Sequence, residues 1–116
     1  MLSKGHAYEK AAEKFLLQQG LSLKSRNYHT KRGEIDLIMK HGNTLVFIEV
    51  RYRKYQHFGS AEETITRAKQ EKIIFSAKHY LAKYNLWDLP VRFDVIAFTH
   101  NKLEQLELNW LKNAFN

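Results

Sequence analysis

Glu34-Ile-Asp36-Leu-Ile-Met-Lys40 and Thr44-Leu-Val-Phe-Ile-Glu49-Val-Arg51-Tyr52 flank a Gly42-Asn43 pair, and this stretch decides how the chain is read. Both runs are rich in branched residues, and Gly-Asn is a favoured two-residue hairpin turn. Each run is more apolar than a half-exposed strand would be. They are therefore expected to be central strands covered on both faces.

Three acids sit inside this apolar hairpin. Glu34 and Asp36 are two apart and so point to one side of their strand. Glu49 interrupts Val46-Phe47-Ile48 and Val50, where an unpaired charge is costly. Asp36 lies six residues before Gly42 and Glu49 six after Asn43, so folding the hairpin sets them side by side. Neighbouring carboxylates repel unless something positive lies between them. A hard divalent cation such as Mg²⁺ or Mn²⁺, which prefers oxygen ligands, satisfies that need. Arg51 shares the face of Glu49 and Arg53 continues it. A buried salt bridge from Arg51 to either acid, with no metal, is the competing expectation.

Outward from the hairpin, residues 3–19 read as a helix whose apolar face carries Tyr8, Ala11, Ala12, Phe15, Leu16 and Gln19, stopped at Gly20. Glu9 falls at the border of that face. An extended piece spans residues 21–28. A polar and aromatic loop, 53–60, leads to a helix at 66–84 with Ile73, Ala77, Tyr80, Leu81 and Tyr84 in register. Ser60 with Glu63, or Thr66 alone, is its expected cap. A strand follows at 91–99, then a turn at His100-Asn101 and a weaker strand at 102–108. A tail from Asn109 is left to dock on the domain or on a partner. Trp87 and Trp110 are expected to be packing residues. The order αβββαββ implies a mixed β-sheet flanked by helices in one α/β domain, residues 1–116.

The composition narrows the class. The 116 residues hold 19 Lys+Arg against 12 Asp+Glu, a formal charge of +7, and no cysteine. Thiolate catalysis and disulfides are excluded, and a polyanion is the expected partner. No apolar run approaches the roughly 18 residues of a membrane helix, and no secretion signal opens the chain, so a cytoplasmic location is expected. The six histidines show no metal-ligand spacing.

Gly33-Glu34-Ile35-Asp36-Leu37-Ile38 with Phe47-Ile48-Glu49-Val50-Arg51-Tyr52-Arg53 resembles the YraN-like family of small bacterial proteins. Glu9 with Ala12, Arg26-Asn27, Lys69-Gln70, Ala77 with Tyr80-Leu81, and Arg92-Phe93-Asp94 agree, so the likeness covers roughly residues 5–98. That family is similar to archaeal Holliday-junction resolvases and to the PD-(D/E)xK nucleases. The resemblance implies a restriction-endonuclease-like fold and a metal-dependent endonuclease acting on structured or branched DNA. It makes Asp36, Glu49 and the Val50 carbonyl the metal ligands, and Glu9 the first-helix carboxylate. A symmetric homodimer is implied on the same ground.

One position departs from the superfamily pattern: the E-x-K lysine is here Arg51. Arginine stabilises negative charge but keeps its proton, so a base must come from the metal's water or from a lysine elsewhere, with Lys69 and Lys54 as candidates. Arg26, Lys31, Arg32, Arg51, Arg53, Lys54 and Arg67 surround the motif in sequence. Tyr28, Tyr52, Tyr55 and Phe58 are interleaved as stacking candidates, with core or loop packing an equal reading for each. The alternatives to a nuclease are a non-catalytic nucleic-acid-binding module with the same fold and a basic module for an acidic protein.

Overall fold

A computed structural model describes residues 4–53 and 65–116. Its elements are α1 (Lys4–Gln18), β1 (Ser22–Thr30), β2 (Gly33–His41), β3 (Thr44–Arg53), α2 (Arg67–Tyr84), β4 (Val91–His100) and β5 (Leu106–Phe115). The order αβββαββ is the one expected. The strands form one sheet in the order β1-β2-β3-β4-β5. Only β3 and β4 are parallel, and α2 lies on the connection between them.

The Gly42-Asn43 turn joins β2 to β3, with Gly42 at φ 60, and His41 pairs with Thr44 beside it. Along β3 the side chains alternate. Val46 and Ile48 enter a core with Ala12 and Leu16 of α1, whereas Leu45 and Phe47 enter a second core with Ile73 and Ala77 of α2. The hairpin strands are thus covered on both faces, which accounts for their apolar runs. Each fully buried Leu, Ile or Phe stabilises this arrangement by about 1.5–3 kcal/mol.

Along β2 the alternation slips. Ile35 and Ile38 belong to the α2 core, while Leu37 and Met39 belong to the α1 core. The slip falls at Asp36. Opposite it in β1, Asn27 has a left-handed φ of 49. Arg26 pairs with Leu37 and Tyr28 with Ile35, but no ladder pair joins Asn27 to Asp36.

Thr66 caps α2, its hydroxyl accepting from the Lys69 N–H at 3.1 Å. The alternative Ser60–Glu63 cap lies outside the described residues. The last strand differs from expectation. Residues 101–105 form a turn in which the Asn101 side chain accepts from Leu103 and Gln105 N–H, and the strand starts at Leu106. The supposed tail from Asn109 is most of β5. Trp110 packs as expected, but Trp87 is 56% exposed. No described helix is long and apolar enough to cross a membrane.

Candidate active site

The site forms where β2 begins and β3 ends. Leu37 with Ile48 is the last ladder pair before it. Beyond that point the Val50 N–H donates to Asp36 Oδ2 at 2.8 Å instead of to the β2 backbone. This side-chain bond fixes the Asp36 carboxyl in the gap between the strands.

Four acids converge there. Glu9 from α1, Glu34 and Asp36 each place a carboxylate oxygen within 4.8 Å of the other two. Glu49 joins through a hydrogen bond with Asp36. Asp36 and Glu49 are each only 7% exposed. Burial pushes the Asp36 carboxyl up to about 8, and repulsion from Glu49 and Glu9 adds to it, against the Val50 bond that favours its charged form. Burial raises Glu49 as well, opposed chiefly by Lys69, then by its bond to Asp36 and by Arg51. The shared bond raises one group and lowers the other.

Cations approach from the α2 side. Lys69 Nζ lies 3.9 Å from Glu49 Oε2. Arg51 acts on Glu49 through its charge. Among the described residues no ion pair engages Asp36. The salt bridge from Arg51 to Asp36 weighed against a metal is therefore not made. Glu34 makes a 3.2 Å contact with the His29 ring instead.

Two contributors were not singled out from the sequence. Glu34 was noted as an acid but given no place among the ligands, although its spacing from Asp36 is the signal. Asn27 donates from Nδ2 to Glu9 Oε1 at 2.8 Å. Its left-handed backbone, which asparagine tolerates better than most residues, leaves no trace in strand periodicity. Val50 is engaged through its N–H.

Of the proposed nucleic-acid contacts, Arg26, Arg32, Arg53 and Tyr52 are among the described residues. Arg26 grips Glu13 of α1 with two bonds, Nε at 2.6 Å and Nη2 at 2.9 Å. Arg32 lies 5.1 Å from the Phe75 ring of α2. Arg53 is exposed at the end of β3. Tyr52 stacks on Tyr8 with centroids 4.7 Å apart, and its hydroxyl bonds His100, so that face of the ring is committed to packing. Tyr28 is likewise committed, its hydroxyl 2.7 Å from His79 Nδ1. Lys54, Tyr55 and Phe58 lie outside the described residues.

Residues 8–98 match the model of the uncharacterised protein family UPF0102. The chain belongs to this family. It is the YraN-like family that the hairpin motif resembles. The UPF0102 protein of Saccharophagus degradans is 49% identical over 112 residues, covering 96% of this chain and 91% of the relative. That of Nitrosomonas europaea is 45% identical over 114 residues, covering 98% and 94%. Among solved structures, SfsA of Pyrococcus furiosus in complex with Ca²⁺ aligns with this UPF0102 chain at a TM-score of 0.36 and 15% identity. The alignment covers 93% of this chain and 62% of that one, so the UPF0102 chain spans less than two thirds of SfsA.

Proposed function

We propose that the chain is a metal-dependent endonuclease that hydrolyses phosphodiesters in structured or branched DNA, working in the cytoplasm. The observation that carries this reading is the crowding of Glu9, Glu34 and Glu49 around the buried Asp36, with no ion pair to Asp36 among the described residues. An all-oxygen, acid-rich set of this kind fits Mg²⁺ or Mn²⁺. Asp36, Glu9 and Glu34 would hold the ion, with Glu49 and the Val50 carbonyl as further ligands. When bound, such an ion neutralises phosphate charge and makes a nucleophile of water near neutral pH.

The rest falls to the chain's own side chains. Lys69 reaches Glu49 from α2, supplying a lysine where the E-x-K motif has Arg51. It orients Glu49 and offers a proton to the leaving oxygen. The Arg51 guanidinium stabilises the transition-state charge. Arg26, Arg32, Arg53, Lys54 and Tyr52 would contact the strands from either side.

Branched, single-stranded and linear duplex DNA, each with Mg²⁺, Mn²⁺ or EDTA, test the reading. Cleavage is expected only with metal, and Asp36→Asn, Glu49→Gln and Lys69→Ala are each expected to lower its rate by about 10²-fold or more while binding survives. Cutting that persists in EDTA, or in Asp36→Asn, sinks it. Salt-sensitive binding without cutting leaves a non-catalytic nucleic-acid-binding module, and no affinity for nucleic acid leaves the basic module for an acidic partner.

Asn27 positions Glu9 in this reading. Asn27→Gly tolerates the left-handed backbone and removes the side chain that holds Glu9. Its Mn²⁺ affinity, read by calorimetry, is expected to fall about 10-fold or more with little change in Tm. An unchanged affinity removes Asn27 from the site.

A further inference from the structure

The turn between β1 and β2 docks on α2 through Thr30. The Thr30 hydroxyl lies 2.8 Å from the Oγ of the buried Ser76 and accepts from the Arg32 N–H at 3.2 Å. That anchor sets two cations of the turn beside one ring of the helix. Arg32 Cζ lies 5.1 Å and Lys31 Nζ 5.8 Å from the centre of the Phe75 ring. Lys72 sits over the same turn, its Cβ 4.0 Å from where a Cβ on Gly33 would stand. Lys83 lies about three turns further along the same line of α2, its ammonium 5.9 Å from the centre of the Tyr28 ring of β1.

Four exposed cations thus line the α2 side of β1, an outer strand of the sheet. None of the four makes an ion pair among the described residues. The acids beside them are engaged elsewhere: Glu34 meets His29, Glu71 meets Arg67 and Glu49 meets Lys69. The stripe also leads into the carboxylate cluster. Lys72 follows Lys69 by one turn of α2, and Arg32 and Gly33 run directly into Glu34.

A phosphate backbone fits such a stripe, because each neutralised phosphate releases counterions. The rings along it are occupied, Phe75 by Lys31 and Arg32, and Tyr28 by His79 and Lys83. They leave no platform on which the bases of a single strand would stack. Lys72 and Lys83 stand about 16 Å apart along the helix. That is enough to reach phosphates on both sides of a major groove roughly 12 Å wide.

We propose that this stripe holds one duplex arm of the substrate by its phosphates and delivers it to the Glu34 side of the cluster. The inference rests on the nuclease reading and deepens it. Binding on this face reads charge and duplex shape, not base identity.

Fluorescence anisotropy on the full chain in EDTA tests it, since these four side chains lie outside the cluster and need no metal. The probes are a blunt duplex, a single strand with the same number of phosphates, and polyglutamate. Two double variants, Lys72→Gln with Lys83→Gln and Lys31→Gln with Arg32→Gln, remove the stripe from either element. Each is expected to weaken duplex binding roughly 10- to 100-fold near 0.1 M salt and to lower the salt slope by about 2. Lys10→Gln with Lys14→Gln removes the same charge from exposed positions of α1, across the sheet, and is expected to leave both nearly unchanged. A slope unchanged in the stripe variants, or an equal loss in the α1 variant, overturns the proposal. Single strand bound as tightly as duplex does so too, and polyglutamate bound as tightly points to an acidic protein instead. Cleavage of a branched duplex with Mg²⁺ separates the two ideas. Stripe-dependent binding without cutting upholds the stripe and sinks the nuclease, and metal-dependent cutting indifferent to the stripe variants does the reverse.

Discussion

Asp94→Ala is expected to destabilise the fold by about 3–5 kcal/mol, the cost of breaking a buried charged network from one side. Asp94 is fully buried. Its oxygens accept from Arg92 Nε at 3.0 and 3.2 Å, from Trp110 Nε1 at 2.9 Å and from the Asn113 N–H at 2.9 Å. These bonds sit where the β4–β5 register shifts between Phe93 and Val95, and where Asn113 takes a left-handed φ of 52. Truncation leaves the Arg92 guanidinium, 19% exposed, the indole N–H and a backbone N–H without their acceptor. With total stability in the usual range of about 5–15 kcal/mol, such a loss is a large share of it, and Tm should fall by roughly 10–20 °C. Urea unfolding gives the figure directly. A loss below about 1 kcal/mol would mean that the network is replaced by water and that β5 is held by its backbone ladder alone.

A second buried acid, Asp36, is expected to act in the opposite direction. Asp36 has a folded-state pKa of about 8 against an ordinary carboxyl value of 3.8. A group raised on folding contributes stability that is fully present below its unfolded pKa and is lost as pH rises through the folded one. The metal-free protein should therefore weaken between about pH 4 and pH 8, by an amount on the order of a few kcal/mol. Asp36→Asn imitates the protonated acid at every pH. Its amide oxygen can accept from the Val50 N–H and its NH₂ can donate to Glu49. Above pH 8 in EDTA this variant is expected to be more stable than the parent chain, and near pH 5 to match it. Some slope should remain, because Glu49 is raised as well. Unfolding free energies measured from pH 5 to pH 9 decide the matter: a parent curve that is flat, or that rises with pH, contradicts the burial argument.

The two acids also mark how far the sequence could be read. Asp36 and Glu49 could be brought together by counting residues from Gly42-Asn43, since a two-residue turn fixes the register of everything behind it. The same regularity hid Asn27, because a single left-handed residue in a strand breaks the period that reveals strands. Asp94 looked like one more acid in a motif, since its three donors come from its own strand and from β5, whose course was misjudged. In β5 the irregularity at Asn113 and the mixture of Leu106, Leu108, Trp110 and Leu111 with polar residues blur the alternation, so most of the strand read as tail. Trp87 was assigned to packing on residue type alone, and residue type does not fix exposure.

Glu9 reaches the cluster from one face of the sheet and Lys69 from the other. The competence of the site is therefore a more local quantity than the melting point. Release of α1 alone would remove one acid and uncover Leu37, while the five strands and the second core stayed in place. Partial openings of this kind cost less than global unfolding. On warming, loss of cation affinity should precede loss of the sheet.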